Sequence, residues 1–171
     1  MGCSSSMQNR MKLQRPDISN NLTDDQKNVI KKTWITIEEN RTKIGKQTFI
    51  RVFELNPQIK KMMPEFMTAD PIEELNSSRK LFGHSKTLMT CLENAVKSLD
   101  DNERFVAYLV ELGRRHQVRP LKAPYFEVIH EALMFSLKDV FQSDWTTETS
   151  ESWSALFRYM SEAMIIGLND T

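Results

Sequence analysis

Apolar residues recur at intervals of three and four along most of this chain, which is the period of an amphipathic α-helix. One long stripe includes a histidine and consists of Leu81, His84, Leu88, Leu92, Ala95 and Leu99. A polar break at Asp100 follows, and then a second stripe of Phe105, Leu109, Leu112 and His116. The two stripes predict a pair of helices joined by a turn, each with a histidine on its apolar face.

Other segments carry the same helical period. Thr23, followed by two acids and Gln26, predicts a capped helix start, and Ser77 or Ser78 predicts another. Pro57, Pro64 and Pro71 predict an irregular corner from about residue 63 to residue 74. Helical stripes then continue beyond Pro124, and no period-two strand pattern follows residue 22. We therefore expect an all-α fold of about six to eight helices.

Length and charge limit the classes of function. At 171 residues the chain is expected to form one folded domain, residues 22–171, after a flexible leader, residues 1–21. Twenty-three basic and 23 acidic residues give a formal charge of zero, so we expect no nucleic-acid partner. Cys3 and Cys91 form no CxxC pair, which argues against a zinc ribbon or a disulfide scaffold.

The first six residues, Met-Gly-Cys-Ser-Ser-Ser, fit the N-myristoylation pattern, with Gly2 as the acceptor. Cys3 is a palmitoylation candidate beside it. One myristoyl chain gives only marginal membrane binding, with a constant on the order of 10⁴ M⁻¹, so stable anchoring needs a second signal. We expect a lipid-anchored protein on the cytoplasmic side of a membrane, the plasma membrane being the expected one. The alternative is a polar leader that matches the N-myristoylation pattern by chance.

The two stripe histidines are placed symmetrically, because His84 and His116 each lie 16 residues from Asp100. If both arms are helical, the imidazoles meet at the open end of the hairpin. Packed helices stand about 8–10 Å apart, so a flat group between them could take one imidazole from each side. An iron porphyrin has that shape. The alternatives are two hydrogen-bonded core histidines or a three-histidine zinc site that also uses His130.

Such a site needs large apolar walls and basic residues near the histidines to meet propionates. The candidate bases are Arg115, Arg119 and Lys86. The candidate wall residues are Phe49, Phe53, Leu81, Leu88, Leu112, Val118, Leu121 and Phe126.

From about Leu22 to Leu168 the chain resembles a globin. Trp34 resembles the tryptophan of the first globin helix, and Trp153 resembles one common in the last. Phe53-Glu54-Leu55-Asn56-Pro57 resembles the end of the second helix and the proline that opens the third. Phe82-Gly83-His84 with Leu88 resembles the distal histidine segment, and Leu112-Gly113-Arg114-Arg115-His116 the proximal one. The proximal segment and the histidine spacing are similar to neuroglobins, and the leader is similar to the N-terminally acylated globins called globin X.

The resemblance implies a three-over-three helical sandwich that binds haem b. It implies His116 as the proximal iron ligand, with its other ring nitrogen donating to a backbone carbonyl or a similar group, and His84 as the distal histidine. Met63 stands where nearly all globins have a phenylalanine stacked on the haem. A methionine can fill that place but is more flexible, so we count Met63 among the haem contacts and expect weaker seating of the haem.

Two functions are distinguished by whether His84 binds the iron. If His84 also ligates iron, the protein is a membrane-tethered, six-coordinate haem protein for electron transfer or redox signalling, with an unidentified electron partner. If His84 is instead a distal hydrogen-bond donor, the protein is a five-coordinate sensor or store of oxygen or another diatomic gas. A third class is a lipid-anchored helical module without haem. The sequence has no nucleophile elbow, P-loop or HExxH motif, so no dedicated enzyme and no catalytic residue is predicted, although haem redox activity stays open.

Overall fold

The computed structural model describes residues 22–66, 75, 77–119 and 121–170. Within these ranges the chain forms seven α-helices, two short 3-10 turns and no strand, which confirms the all-α prediction. The leader, with Gly2 and Cys3, lies outside them. The helices are α1 (Asp24–Glu39), α2 (Arg41–Leu55), α3 (Pro57–Lys61), α4 (Arg79–Lys97), α5 (Asn102–Arg115), α6 (Tyr125–Phe141) and α7 (Thr147–Asn169), with the turns at Pro64–Phe66 and Gln142–Asp144.

Local sequence signals fix three of the helix starts. The Thr23 hydroxyl accepts a bond from the Gln26 amide at 3.2 Å, and the Gln26 side chain accepts one from the Thr23 amide at 3.0 Å. This reciprocal pair satisfies two backbone donors at the start of α1. The Ser78 hydroxyl caps α4 by accepting from the Leu81 amide, and Pro57 opens α3 at a position that needs no amide hydrogen. All three starts were predicted from the sequence.

The six longer helices pack in two layers of three, with α1, α4 and α5 in one layer and α2, α6 and α7 in the other. The main helix pairs that cross between the layers are α5 with α7, α2 with α4, and α1 with α7, while α2 with α6 and α6 with α7 pair within a layer. This arrangement confirms the expected three-over-three sandwich. None of the helices in the described ranges has the length and apolar character needed to cross a bilayer.

Two apolar cores lie between the layers. The larger core is centred on Trp153, which is 1% exposed and whose ring lies 6.3 Å from that of Trp34. The Trp153 indole donates to the Thr33 hydroxyl at 2.9 Å, so its polar edge is satisfied inside the core. The smaller core contains Phe53, Phe66 and Leu81 and lies beneath the first turns of α4. This second core supports the half of α4 that carries His84.

A close crossing of α2 and α4 sets the position of His84. A Cβ atom placed on Gly45 of α2 would lie 2.9 Å from the Ser85 Cβ and 3.0 Å from the Ser85 carbonyl oxygen. Real Cβ contacts are not this short, so the crossing depends on glycine at this point. Ser85 is 2% exposed and directly follows His84. The small residues therefore bring the histidine-bearing turn of α4 down onto α2.

Candidate haem site

His84 lies among aromatic rings that come from two other segments. Its ring centroid is 5.9 Å from that of Phe49 on α2 and 5.2 Å from that of Phe66 in the turn before α4. Phe53 completes the cluster, because its ring lies 6.2 Å from Phe49 and 5.4 Å from Phe66. The His84 side chain is half-buried. One side of the imidazole thus faces a ring cluster, and part of it stays accessible.

His116 lies immediately after the end of α5, where it forms the C-cap. Its Nδ1 is 2.7 Å from the carbonyl oxygen of Leu112, one helical turn earlier. A carbonyl oxygen can only accept, so Nδ1 carries the hydrogen and donates. In a neutral imidazole that leaves the lone pair on Nε2, which is the form that binds a metal. This carbonyl contact was predicted for His116, and the structure confirms it.

The two histidine-bearing arms are supported by different helices. α4 packs on α2, and α5 packs on α7, whereas α4 and α5 do not form one of the main helix pairs of the described structure. A flat group wedged between the arms requires this kind of separation, since two directly packed helices leave no room for it. The donor set and the helix arrangement therefore both fit an iron porphyrin.

The other predicted site residues divide by burial. The half-buried ones are Met63, Leu88, Leu112 and Leu121, together with Phe49. Phe126 is buried and Val118 is 89% exposed. Phe53 and Leu81 are both 0% exposed and belong to the smaller core. The half-buried residues are the ones that offer apolar surface to a ligand. Phe53 and Leu81 pack beneath them, and direct contact of these two residues with haem stays a prediction.

Of the predicted basic residues, Arg115 is exposed and donates to Glu111 at 3.1 Å. An exposed pair of this kind contributes little and exchanges readily, so Arg115 can still turn to a carboxylate partner. Arg119 is half-buried and Lys86 is exposed. All three lie in or next to the two helices that carry the histidines.

Phe66 is the site residue that the sequence reasoning missed. It is 2% exposed and has the shortest ring contact with His84. It lies three residues after Met63, the residue that replaces the usual haem-stacking phenylalanine. The signal was an aromatic residue within one turn of that position, but only the folded corner shows that its ring lies beside His84.

His130 and Cys91 take no part in this site. His130 Nε2 is 3.1 Å from the Ser154 hydroxyl, and its ring stacks on Phe157 at 5.4 Å. Burial lowers the pKa of His130, so it is neutral at pH 7. Cys91 is buried, and burial raises the pKa of its thiol to about 11, as is typical of a small residue of the core. Across the described ranges no cluster of three metal-binding side chains occurs, so the zinc alternative has no support there.

A separate surface cleft of about 630 Å³ lies at the junction of α1 and α2, lined by residues that include Asn40, Lys43 and Gln47. It contains none of the predicted site residues. The cleft is therefore separate from the candidate histidine site.

Comparison with known proteins identifies the family of this chain. The Globin family profile matches residues 46–164. A globin named polymeric component P3 from Glycera dibranchiata is 32% identical over 86% of this chain and 97% of its own. Neuroglobin from Danio rerio is 26% identical over 85% of this chain and 92% of its own length. Cytoglobin-2 from the same fish is 29% identical over 79% of this chain and 76% of its own length.

Among solved structures, a hexacoordinated haem protein from an anhydrobiotic tardigrade, crystallised at pH 4, superposes with a TM-score of 0.82. It is 22% identical, and the match covers 88% of this chain and 97% of the tardigrade chain. The fold and the histidine site define a haem-binding helical protein. The chain belongs to the globin family, with neuroglobin and cytoglobin relatives, and its cofactor is haem.

Met63→Phe is expected to slow the loss of haem. Met63 is half-buried and packs against the smaller core next to Phe66, and a ring there would add aromatic contact worth about 0.5–1.5 kcal/mol. Transfer of haem from the ferric protein to an excess of an apo-globin acceptor measures the rate, which should fall about twofold to tenfold. Met62→Phe, one residue earlier and also half-buried, is the matched control. An unchanged transfer rate in Met63→Phe would contradict the expectation.

Proposed function

We propose that His116 and His84 both ligate the haem iron, so that the protein is a bis-histidyl, six-coordinate globin. The contact between His116 Nδ1 and the Leu112 carbonyl carries this proposal, because it prepares Nε2 as the proximal donor. When bound, haem supplies an iron that cycles between the ferrous and ferric states. His84, on the opposite arm of the hairpin, supplies the second imidazole.

The surroundings of His84 support its role as a ligand. Its ring packs against Phe49 and Phe66, which already restricts the orientation of the imidazole. Less conformational entropy is therefore lost when the imidazole binds the iron. The similar tardigrade structure is that of a hexacoordinated haem protein, so this fold accommodates a sixth ligand. The alternative, a five-coordinate oxygen sensor or store, needs His84 to stay away from the iron and donate to the gas.

Six-coordination favours electron transfer over gas storage. If His84 and His116 both bind the iron, the protein would supply the same two imidazoles to the ferrous and the ferric haem. An external ligand must also displace His84, and when about 1% of molecules have an open position the apparent affinity falls about 100-fold. The described thiol, Cys91, is buried with a raised pKa, so the redox function is placed on the haem.

The leader supports a membrane location for this function. Gly2 fits the myristoylation pattern and Cys3 is a palmitoylation candidate, and stable anchoring requires two such signals. Diffusive oxygen storage gains nothing from a tether, whereas electron exchange with membrane partners does. We therefore place the protein on the cytoplasmic face of a membrane, in electron transfer or redox signalling.

His84→Leu is expected to open the sixth position. Binding of carbon monoxide to the ferrous protein under anaerobic conditions should then become at least about tenfold faster, because no internal ligand competes. His130→Gln is the control, since His130 bonds Ser154 and stacks on Phe157, and its rate should equal that of the unchanged protein. Equal rates in His84→Leu and the unchanged protein would mean that His84 does not ligate iron.

Gly2→Ala is expected to release the protein from membranes. Alanine at this position is not a myristoylation acceptor, and without the first acyl chain Cys3 is not held at the lipid surface. The fraction that sediments with membranes from expressing cells should fall to the background, and mass spectrometry should show loss of the acyl mass. Cys3→Ser should leave weak, reversible binding, and Ser4→Ala should change nothing. Equal sedimentation of Gly2→Ala and the unchanged protein would contradict the tether.

A further inference from the structure

The last turns of α7 lie directly against the segment that carries His116. A Cβ atom on Gly113 would be 2.0 Å from the Met164 carbonyl oxygen, and one on Gly167 would be 1.8 Å from the Val110 carbonyl oxygen. Both distances are far below any real contact. Each helix thus presents a glycine to the backbone of the other, and the two helices touch backbone to backbone three residues before His116.

Gln117, the residue after His116, bonds the end of α7. Its amide nitrogen Nε2 donates to the Gly167 carbonyl oxygen at 3.0 Å and lies 3.4 Å from that of Leu168. The Asp170 carbonyl also accepts from it. The last carbonyls of a helix have no partner within the helix. Gln117 therefore caps α7 and ties the His116 segment to it.

Arg114 makes a second link between the same two segments. Its Nε and Nη2 both donate to Asp170 Oδ2, at 2.8 and 2.6 Å. The last turn of α7 has no basic residue of its own, so Arg114 supplies the positive charge that a helix C-terminus favours. The pair is half-exposed and weak on its own, but it acts beside the glycine crossing and the Gln117 bonds.

We propose that the end of α7 is a proximal clamp, formed by Gly113, Arg114 and Gln117 on one side and Gly167 and Asp170 on the other, that positions His116 against the iron. The inference rests on the proposed role of His116 as the proximal ligand. The residues of the clamp flank His116 in sequence on both sides. The segment that carries the imidazole is thereby held by α7, and a change of the sixth ligand is left to α4.

Gln117 is the residue to test, because its side chain can be changed without altering the helix crossing. Gln117→Met keeps the length of the side chain and removes its donor, while Gln117→Lys restores a donor to the same carbonyls. Haem transfer from the full-length ferric protein to an apo-globin acceptor should become about fivefold faster in Gln117→Met, the loss expected for one ordinary hydrogen bond. Gln117→Lys should return the rate to within about twofold of the unchanged protein.

Two further readouts separate positioning from general stability. In the ferrous His84→Leu background, the iron–histidine stretching band in resonance Raman spectra should shift in Gln117→Met and return in Gln117→Lys. In the haem-free protein, amide hydrogen exchange at residues 113–117 should become faster in Gln117→Met, while exchange in α2 should not change.

Gln142→Met is the matched control, because the Gln142 amide also donates to a carbonyl, that of Asp139, at the end of α6. It should leave haem transfer and the stretching band unchanged. Unchanged haem transfer and an unchanged band in Gln117→Met, or equal changes in Gln142→Met, would overturn the clamp. His116→Ala tests the underlying assignment separately, since a haem spectrum that survives this substitution would refute the ligand role and not the contact between the helices.

Discussion

The site depends on two adjacent helices that pack on other helices more than on each other. α4 and α5 follow each other across a short turn. α4 packs on α2 at the Gly45 crossing, and α5 packs on α7 at the Gly113 and Gly167 crossing. Small residues at both crossings allow close backbone approach. The two histidine-bearing segments are therefore supported by different partner helices.

The two histidine-bearing segments are connected to the rest of the fold through different elements. His116 is bonded to the Leu112 carbonyl, and its neighbour Gln117 is bonded to the end of α7. The His84 ring contacts those of Phe49 on α2 and Phe66 in the turn Pro64–Phe66. The proposed proximal side is thus supported by α7, and the proposed distal side by α2 and that turn.

Much of this could be predicted from the sequence, because the signals concerned are local. The cap at Thr23, the start of α4 at Ser78 and the equal arms on either side of Asp100 are all readable within a few turns of helix. Phe66 could not be assigned, since its contact with His84 depends on how the corner after Pro57 folds. The bond from Gln117 to Gly167 joins residues 50 positions apart, and nothing in the local pattern indicates it. For Phe53 and Leu81, which are buried in the smaller core, an apolar position in the sequence does not reveal whether it faces a ligand or the core, and their contact with haem stays a prediction.

The most direct test of the account is the visible absorption spectrum of the full-length protein in its ferric and ferrous states, recorded without oxygen or added ligand. Sharp, split bands of low-spin ferrous haem are expected if imidazoles from both arms of the hairpin bind the iron. A single broad high-spin ferrous band would contradict the bis-histidyl proposal, since His84 would then not bind the iron and the protein would be an open, gas-binding globin.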